Sequence, residues 1–373
     1  MTSSVPRTAR ISVIGGGPGG LTCARILQRH GLTVTVYDRD AGPDSRNQGG
    51  SLDLHADDGQ IALREAGLLD EFFALSRPEG QESRQIGPDG VIRDRQTPEP
   101  GDRFKPEIDR GVLRTMLLDS LVPGTVRWGA ALTQVTGPDD GPRTLHFADG
   151  STTETDLVIG ADGAFSKVRA AVSPVVPRYC GISFLESWFD DVDTRHPEIA
   201  ELVGQGLAMA ADGRRALVGQ RNGGGHLRVY VVQRVPVDWL AAAGLTGTEA
   251  VREHLLREYA GWSPLMRRLI TDNDGPYIDR PIFVLPTPYA WPHVPTVTLL
   301  GDAAHVLPPV GVGVNLAMLD ASDLALALAR SATIDEALRA YHDIMIPRAT
   351  GIAEFAEHSA GFLLDDDPAP IPS

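Results

Sequence analysis

ISVIGGGPGGLTCARILQRHGLTVTVYD, residues 11–38, decides the fold. It opens as an apolar strand, passes through a glycine run, continues with helical periodicity and closes on a second strand, TVTVYD. Gly31 follows the helical stretch at the position where a C-terminal glycine stops a helix. Glycines 15, 17 and 20 fall in G-x-G-x-x-G spacing at the strand-to-helix turn. Glycine there permits a tight turn, close approach of backbone to a pyrophosphate and close helix–strand packing, while the phosphate charge meets the helix N-terminus. Asp38, at the end of the second strand, can offer a carboxylate to both hydroxyls of a ribose. This is a dinucleotide-binding strand–helix–strand unit, and its spacing does not choose between NAD and FAD.

Two later stretches repeat the strand–turn idea. DLVIGADGAFSKVR (156–169) puts Asp162 and Gly163 at a strand end, and VTLLGDAAHVLPPVGVGVN (297–315) does the same with Gly301 and Asp302. An acid at a strand end, followed by small residues, suits a hydroxylated chain and its phosphates. Between these motifs, 57–75 and 109–121 read as helices, and short apolar runs near Val91, 125–128 and 145–147 read as strands. After Ser173, Pro174 and Pro177 break the chain, and strand-like LAMAA, RALVGQ and LRVYVVQ follow. Gly223-Gly224-Gly225 reads as a hairpin turn, 248–270 as helix, and 314–331 as a long helix. Beyond it, 334–346 and 349–364 read as two helices separated by Pro347, with 365–373 a loose tail.

The chain has 373 residues, more than one domain of ordinary size. Its 49 acidic and 34 basic residues give a net charge of −15, which opposes nucleic acid or an anionic membrane as principal partner. With 42% hydrophobic and 22% charged residues it can bury large cores. Cys23 and Cys180 are too few for a disulfide framework. No apolar stretch reaches membrane-span length, MTSSVPRTAR lacks the apolar centre of a signal peptide, and a cytoplasmic protein is expected.

The three motifs, in this order and at these separations, resemble the single-component FAD-dependent aromatic hydroxylases. Further matches at Gly49-Gly50-Ser51-Leu52-Asp53-Leu54-His55, KPEIDRGVLR (105–114) and GDAAHVLPP are similar to the tetracycline-inactivating flavin monooxygenases and their relatives from antibiotic pathways. The resemblance implies an α/β architecture: a Rossmann-like FAD-binding domain with a sheet-rich substrate domain inserted and a C-terminal helix. On that reading 1–74, 102–175 and 279–330 form the FAD-binding domain. Residues 75–101 and 176–278 form the substrate domain, and 331–364 are C-terminal helices. Gly15, Gly17 and Gly20 would bind the ADP part, with Asp38 on its ribose and Arg39 beside it. Asp162 would lie near the pyrophosphate and Arg110 near the ribityl–phosphate region, while Gly301 and Asp302 would bind the ribityl chain and flavin. Asp53 would lie close to the isoalloxazine as candidate catalytic residue, Gly311 and Gly313 would allow backbone approach to the flavin, and Pro309 would border the substrate pocket.

Three departures stand out. The ribose acid is Asp rather than the usual Glu, the loop 310–315 is one residue short of the common pattern, and 200–235 does not preserve the polar residues by which the tetracycline-inactivating enzymes hold their substrate. Several side chains admit two readings. His226 and Arg228 alternate on a strand and either orient a phenolate or lie on a solvent face. Phe355 and Phe362 either cover the pocket or pack in a helical core. Arg114 is a cofactor contact, a salt bridge or a solvated residue, and His305 and His55 are structural or catalytic.

The implied activity is NAD(P)H-dependent hydroxylation of a polycyclic or phenolic, antibiotic-like or polyketide-like molecule through a C4a-hydroperoxyflavin, with O2 as co-substrate and NADPH or NADH a transient visitor. Chain length leaves no room for a second nucleotide-binding domain, and no metal is called for. Baeyer–Villiger oxidation, epoxidation or reduction on the same fold, and non-catalytic drug sequestration, are the alternatives. Oligomeric state is left open.

Overall fold

The computed structural model describes residues 5–6, 8–45, 48–213 and 215–359, with backbone alone over 357–359. The stretch 11–38 folds as its pattern requires. Strand Ile11–Ile14 is buried throughout, and helix Pro18–Arg29 starts on a proline, whose missing N–H is no loss in a first turn. The helix ends at His30 with Gly31 at φ 76°, and Val34–Tyr37 returns parallel to the first strand with Ile11 opposite Val34.

These strands belong to a five-stranded sheet in the order Val297–Leu299, Leu157–Gly160, Ile11–Ile14, Val34–Tyr37, Val126–Arg127, parallel throughout. That order is what builds the site. The three strands followed by glycine-bearing turns are neighbours, so their turns emerge side by side at the carboxyl edge, where open α/β sheets bind ligands. Helices Pro18–Arg29 and Gly313–Arg330 pack beside the sheet, and one core joins Val13, Leu21, Ile159 and Leu299 to Leu324, Leu338 and Tyr341.

A second sheet has seven strands, in the order Ile278–Val284, Arg178–Phe189, Leu227–Arg234, Arg215–Arg221, Leu207–Asp212, Ser83–Ile86, Ile92–Gln96. Only Leu207–Asp212 beside Ser83–Ile86 is a parallel pair. The edge strand Ile278–Val284 keeps the chain on this sheet past the boundary expected at 278. Side-chain alternation gives the sheet two different faces. Leu185, Leu217, Val229 and Val231 enter a large core with Leu255, Tyr259 and Ile270 of the covering helices Gly247–Glu258 and Pro264–Thr271. Phe184, Val218, Tyr230 and Ile282 point the other way and are only partly buried. The hairpin turn at 223–225 is present, with Gly224 and Gly225 at positive φ. A two-stranded ladder, Ser51–Asp53 with Glu107–Asp109, lies apart from both large sheets.

Three expectations need correction. The helical stretch 248–270 is two helices, Gly247–Glu258 and Pro264–Thr271, with the second starting on Pro264. The helical stretch 57–75 is broken by Gly67 (φ 71°) into Gly59–Ala66 and Leu69–Leu75. At the C-terminus there is one helix, Ile334–Ser359, running through Pro347. Its buried stripe of Ala337, Leu338, Tyr341, Met345, Ala349, Ala353 and Ala356 continues across the proline, so packing outweighs the one backbone hydrogen bond lost there. Phe355 falls off this stripe and is 66% exposed, neither lid nor core. Phe355→Ala should therefore shift stability by no more than about 0.5 kcal/mol, read by thermal denaturation. Phe362 and the tail lie outside the described residues. Among the described residues, no helix is long and apolar enough to cross a membrane.

Candidate active site

The three turns close on a cavity of about 360 Å³. Gly17, Gly20, Arg110, Gly301, Asp302, Gly311 and Gly313 all line it, together with Leu52 and Gly163. The glycines divide into two kinds. Gly15 has φ 111°, and a Cβ there would sit 2.2 Å from the Ala161 carbonyl; a Cβ on Gly20 would sit 2.1 Å from the Gly15 carbonyl. These two let the turn pack against its own scaffold. A Cβ on Gly17, Gly163 or Gly311 would meet nothing within 4 Å, so these positions face open space that a ligand can enter.

The electrostatics of the cavity favour an anion. The helices Pro18–Arg29 and Gly313–Arg330 begin at it with N-caps Gly17 and Val312, neither of which supplies a side-chain cap. Their first-turn N–H groups and dipoles are aimed at whatever occupies the space. Arg110 adds a guanidinium, and exposed Asp302 adds an acceptor for hydroxyls. A diphosphate joined to a polyhydroxylated chain fits this donor set.

The other expected cofactor residues stand outside the cavity wall. Asp38 is buried at the end of its strand and accepts N–H bonds from Gly16 at 2.6 Å and Asp40 at 2.8 Å. A carboxylate accepts about four such bonds, so capacity for ribose hydroxyls is left over. Arg39 beside it is exposed. The Asp162 carboxylate turns into its own loop, accepting from the Ser166 hydroxyl (2.6 Å) and the Lys167 N–H (2.7 Å); it shapes the turn and presents Gly163. Asp53 pairs with His55 at 3.1 Å, and the carboxylates of Asp53 and Asp58, accepting from the ring, raise the His55 imidazole to about 9. Pro309 is exposed and lies outside this wall.

Three side chains tie these turns together, of which only Arg114 is a candidate from sequence. Arg114, 3% exposed, donates to the carbonyls of Gly16 (3.1 Å) and Pro43 (2.6 Å), approaches Asp40 at 3.5 Å and lies over Trp128. That is a buried salt bridge, not a solvated side chain. Arg169 donates to the carbonyls of Ala164 (2.7 Å), Ala303 (2.9 Å) and Asp302 (3.0 Å), stapling the second turn to the third. Fully buried Asn315 accepts from the N–H groups of His55 and Gly59 and donates to the Asp53 carbonyl at 2.8 Å.

Beside this cavity lies the half-buried face of the seven-stranded sheet. A Cβ on Gly50 would sit 2.8 Å from the Tyr230 hydroxyl and 2.9 Å from Gln220, and Gln220 donates to the Ser51 carbonyl at 3.2 Å. The loop leading to Leu52 therefore rests on that face. Arg228 shares the face and bonds Glu186, which also accepts from Arg280 at 3.0 Å. His226 is 2.8 Å from Asp190. His226 and Arg228 do share one wall, that of a second cavity of about 680 Å³ with Asp109, Trp188 and Asn222. His305 is buried against Asp320 rather than open to either cavity.

Glu107, opposite Asp53 in the short ladder, is buried, and burial together with Asp53 and Asp109 pushes its carboxyl up to about 7 despite a bond from Ser51. The sign of its effect on stability follows. Between 4.5, its ordinary value, and about 7 the folded protein holds a proton the unfolded chain has released, so stability falls as pH rises. The loss is complete above pH 7 and amounts to about 3 kcal/mol. Glu107→Gln keeps the Ser51 partner and should flatten this slope, gaining stability at pH 8 but not at pH 4. Equal denaturation midpoints for variant and parent at pH 8 would contradict the assignment.

A strand–turn–helix cradle for a diphosphate, completed by two further turns, defines a dinucleotide-binding α/β protein. The chain belongs to the family described as FAD binding domain, whose model matches residues 8–235 and 293–356. It is 32% identical over 412 aligned positions to the monooxygenase penA of Penicillium thymicola, covering 94% of each chain. It is 31% identical to 3-amino-4-hydroxybenzoate 2-monooxygenase of Streptomyces cremeus, covering 98% of this chain and 90% of the relative. Among solved structures it resembles Klebsiella pneumoniae HpxO complexed with FAD and uric acid (TM-score 0.81, 23% identity, 96% and 90% coverage). It also resembles the tetracycline destructase Tet(51) (TM-score 0.70, 19% identity, 96% and 92% coverage). The protein is an FAD-dependent monooxygenase of the kind that hydroxylates aromatic substrates.

Proposed function

We propose that the protein is an NAD(P)H-dependent hydroxylase of a phenolic or polycyclic small molecule of the antibiotic or polyketide type, working in the cytoplasm. The observation that carries this reading is the half-buried face of Phe184, Val218, Tyr230 and Ile282, which adjoins the cofactor cavity through Gly50 and Leu52. An aromatic and aliphatic wall with a few polar groups suits a flat, hydroxylated ring system.

When bound, FAD would supply the redox chemistry, namely two-electron reduction by NAD(P)H and use of O2 for oxygen transfer to the substrate. The chain's own residues do the rest. Gly17, Gly163 and the uncapped helix N-termini hold the diphosphate, Arg110 neutralises it, and Asp302 takes ribityl hydroxyls. Asp38 keeps the adenosine ribose, and Gly311 and Gly313 bring backbone N–H groups to the flavin. Tyr230 and Gln220 orient the substrate's hydroxyl, and the apolar wall excludes water from the site of oxygen transfer. The domain assignment follows, with 83–96 and 178–284 as the substrate-binding sheet.

Screening phenols and aromatic polyketides, tetracyclines included, for stimulated NADPH and NADH oxidation tests this. The expected result is stimulation with matching oxygen uptake and a product heavier by one oxygen. Nucleotide oxidation that no aromatic stimulates would remove the reading.

A further inference from the structure

Behind the Gly301–Asp302 side of the cavity lies a closed set of charges that the cofactor contacts do not account for. Asp320, 1% exposed on the inner face of helix Gly313–Arg330, accepts the Gly301 N–H at 2.9 Å and meets the His305 ring at 2.5 Å on one oxygen. Its other oxygen takes Arg348 at 2.9 Å, and Arg348 reaches Asp323 at 2.7 Å with its second nitrogen. Arg348 stands on the C-terminal helix, His305 ends the short helix Asp302–His305, and Gly301 lines the cofactor cavity. Only glycine fits at 301: it sits at φ 58°, and a Cβ there would meet Ala317 at 2.7 Å, so the turn packs directly against helix Gly313–Arg330. The turn that faces the cofactor is thus bonded on its far side to a carboxylate, and that carboxylate to two cations from different elements.

We propose that Arg348 and His305, acting through Asp320, are positioning residues that hold the 301–305 turn against FAD and keep the charge behind it balanced, so that the C-terminal helix sets the affinity and reduction potential of the cofactor. Two carboxylates and two cations make the set neutral. Burial disfavours charge on both members of the central pair, yet their mutual attraction, with Arg348, holds Asp320 below the ordinary carboxylate range and raises His305. Removing either cation leaves one uncompensated negative charge next to a site whose occupant becomes more negative when reduced. The same charge is felt less by oxidised FAD, so the two redox forms should separate in affinity.

The experiment compares Arg348→Met, His305→Gln and Arg348→Lys with the parent holoenzyme. Dissociation constants for oxidised and reduced FAD, the midpoint potential and Tm are measured for each. For Arg348→Met and His305→Gln the expected result is binding of reduced FAD weakened about tenfold more than that of oxidised FAD. For a two-electron couple this lowers the potential by about 30 mV. Arg348→Lys, which keeps the cation near Asp320, should restore the parent potential even where its Tm does not recover. A lowered Tm with unchanged potential and an unchanged ratio of the two dissociation constants would reduce the set to a structural brace and overturn the proposal. Should Arg348→Met fail to fold, His305→Gln, in which an amide can still donate to Asp320, decides the question alone.

Discussion

Gly20→Ala should yield a colourless, destabilised protein, whereas Gly17→Ala should yield a stable one that holds FAD poorly. The two glycines belong to one motif, three residues apart, but their surroundings oppose each other. The new methyl at 20 would lie 2.1 Å from the Gly15 carbonyl, a backbone atom that cannot swing aside. Alanine brings about 1 kcal/mol of helix propensity at such a position. Overpacking of a buried turn costs about 1–3 kcal/mol and here also displaces Gly15, so the clash wins. The new methyl at 17 meets no protein atom within 4 Å, and the backbone there (φ −83°, ψ 178°) is one alanine adopts readily. Its thermal stability should stay within about 0.5 kcal/mol of the parent. The methyl occupies space through which a diphosphate reaches the helix N-terminus, so the dissociation constant for FAD should rise at least about tenfold, or 1.4 kcal/mol. Reconstitution followed by flavin absorbance and thermal denaturation separates the two outcomes. Tight FAD binding by Gly17→Ala would mean that the cofactor lies elsewhere.

Arg169→Met is the second substitution expected to matter greatly. The guanidinium, 2% exposed, spans the carbonyls of Ala164, Asp302 and Ala303. Methionine fills much of the volume but donates nothing, so three carbonyls lose a charged donor. With charged hydrogen bonds worth about 1.5–3 kcal/mol each and incomplete re-solvation, a loss of about 3 kcal/mol is expected. Because the two loops that lose their staple present Gly163 and Asp302 to the cavity, FAD should also dissociate faster. Arg169→Lys should recover little, since an ammonium cannot fork to three acceptors in one plane. A Tm and FAD dissociation rate indistinguishable from the parent would show that the loops hold without the arginine.

The parts of this molecule that could be read from sequence are those where chemistry recurs at short range. The run 11–38 carries its strand, turn, helix and strand in order, and the acids at 162 and 302 follow apolar strands directly. Seven of the expected cofactor residues come together in one cavity, six of them because the sheet order makes the strands before their turns neighbours, while Arg110 arrives from the short ladder. Of the staples, only Arg114 is legible in sequence, with a salt bridge as one of its three readings. Arg114, Arg169 and Asn315 act mainly on backbone atoms of residues remote in sequence, and a carbonyl carries no residue identity to be matched. The nearest signal is position: Asn315 lies in the first turn of a helix that opens at the cavity, and Arg114 lies one turn beyond Arg110. The exposure of Phe355 escapes the sequence pattern for a related reason. The phase of a 26-residue helix is set by the stripe packed against the core, which here is mostly alanine, and a lone aromatic off that stripe does not redirect it. The partners of His226 and Arg228 are equally hidden, since Glu186 stands on, and Asp190 directly follows, a strand that pairs only in the folded sheet with the one that carries Arg228 and that His226 precedes.

Oxygen insertion is the centre of this account, and isotope labelling addresses it directly. Turnover of the FAD-loaded enzyme with NAD(P)H and a stimulating phenolic substrate under 18O2 should give a product carrying one labelled oxygen atom, with the second atom leaving as water. A product labelled only from 18O-water, or reduced without any oxygen gain, would contradict the assignment.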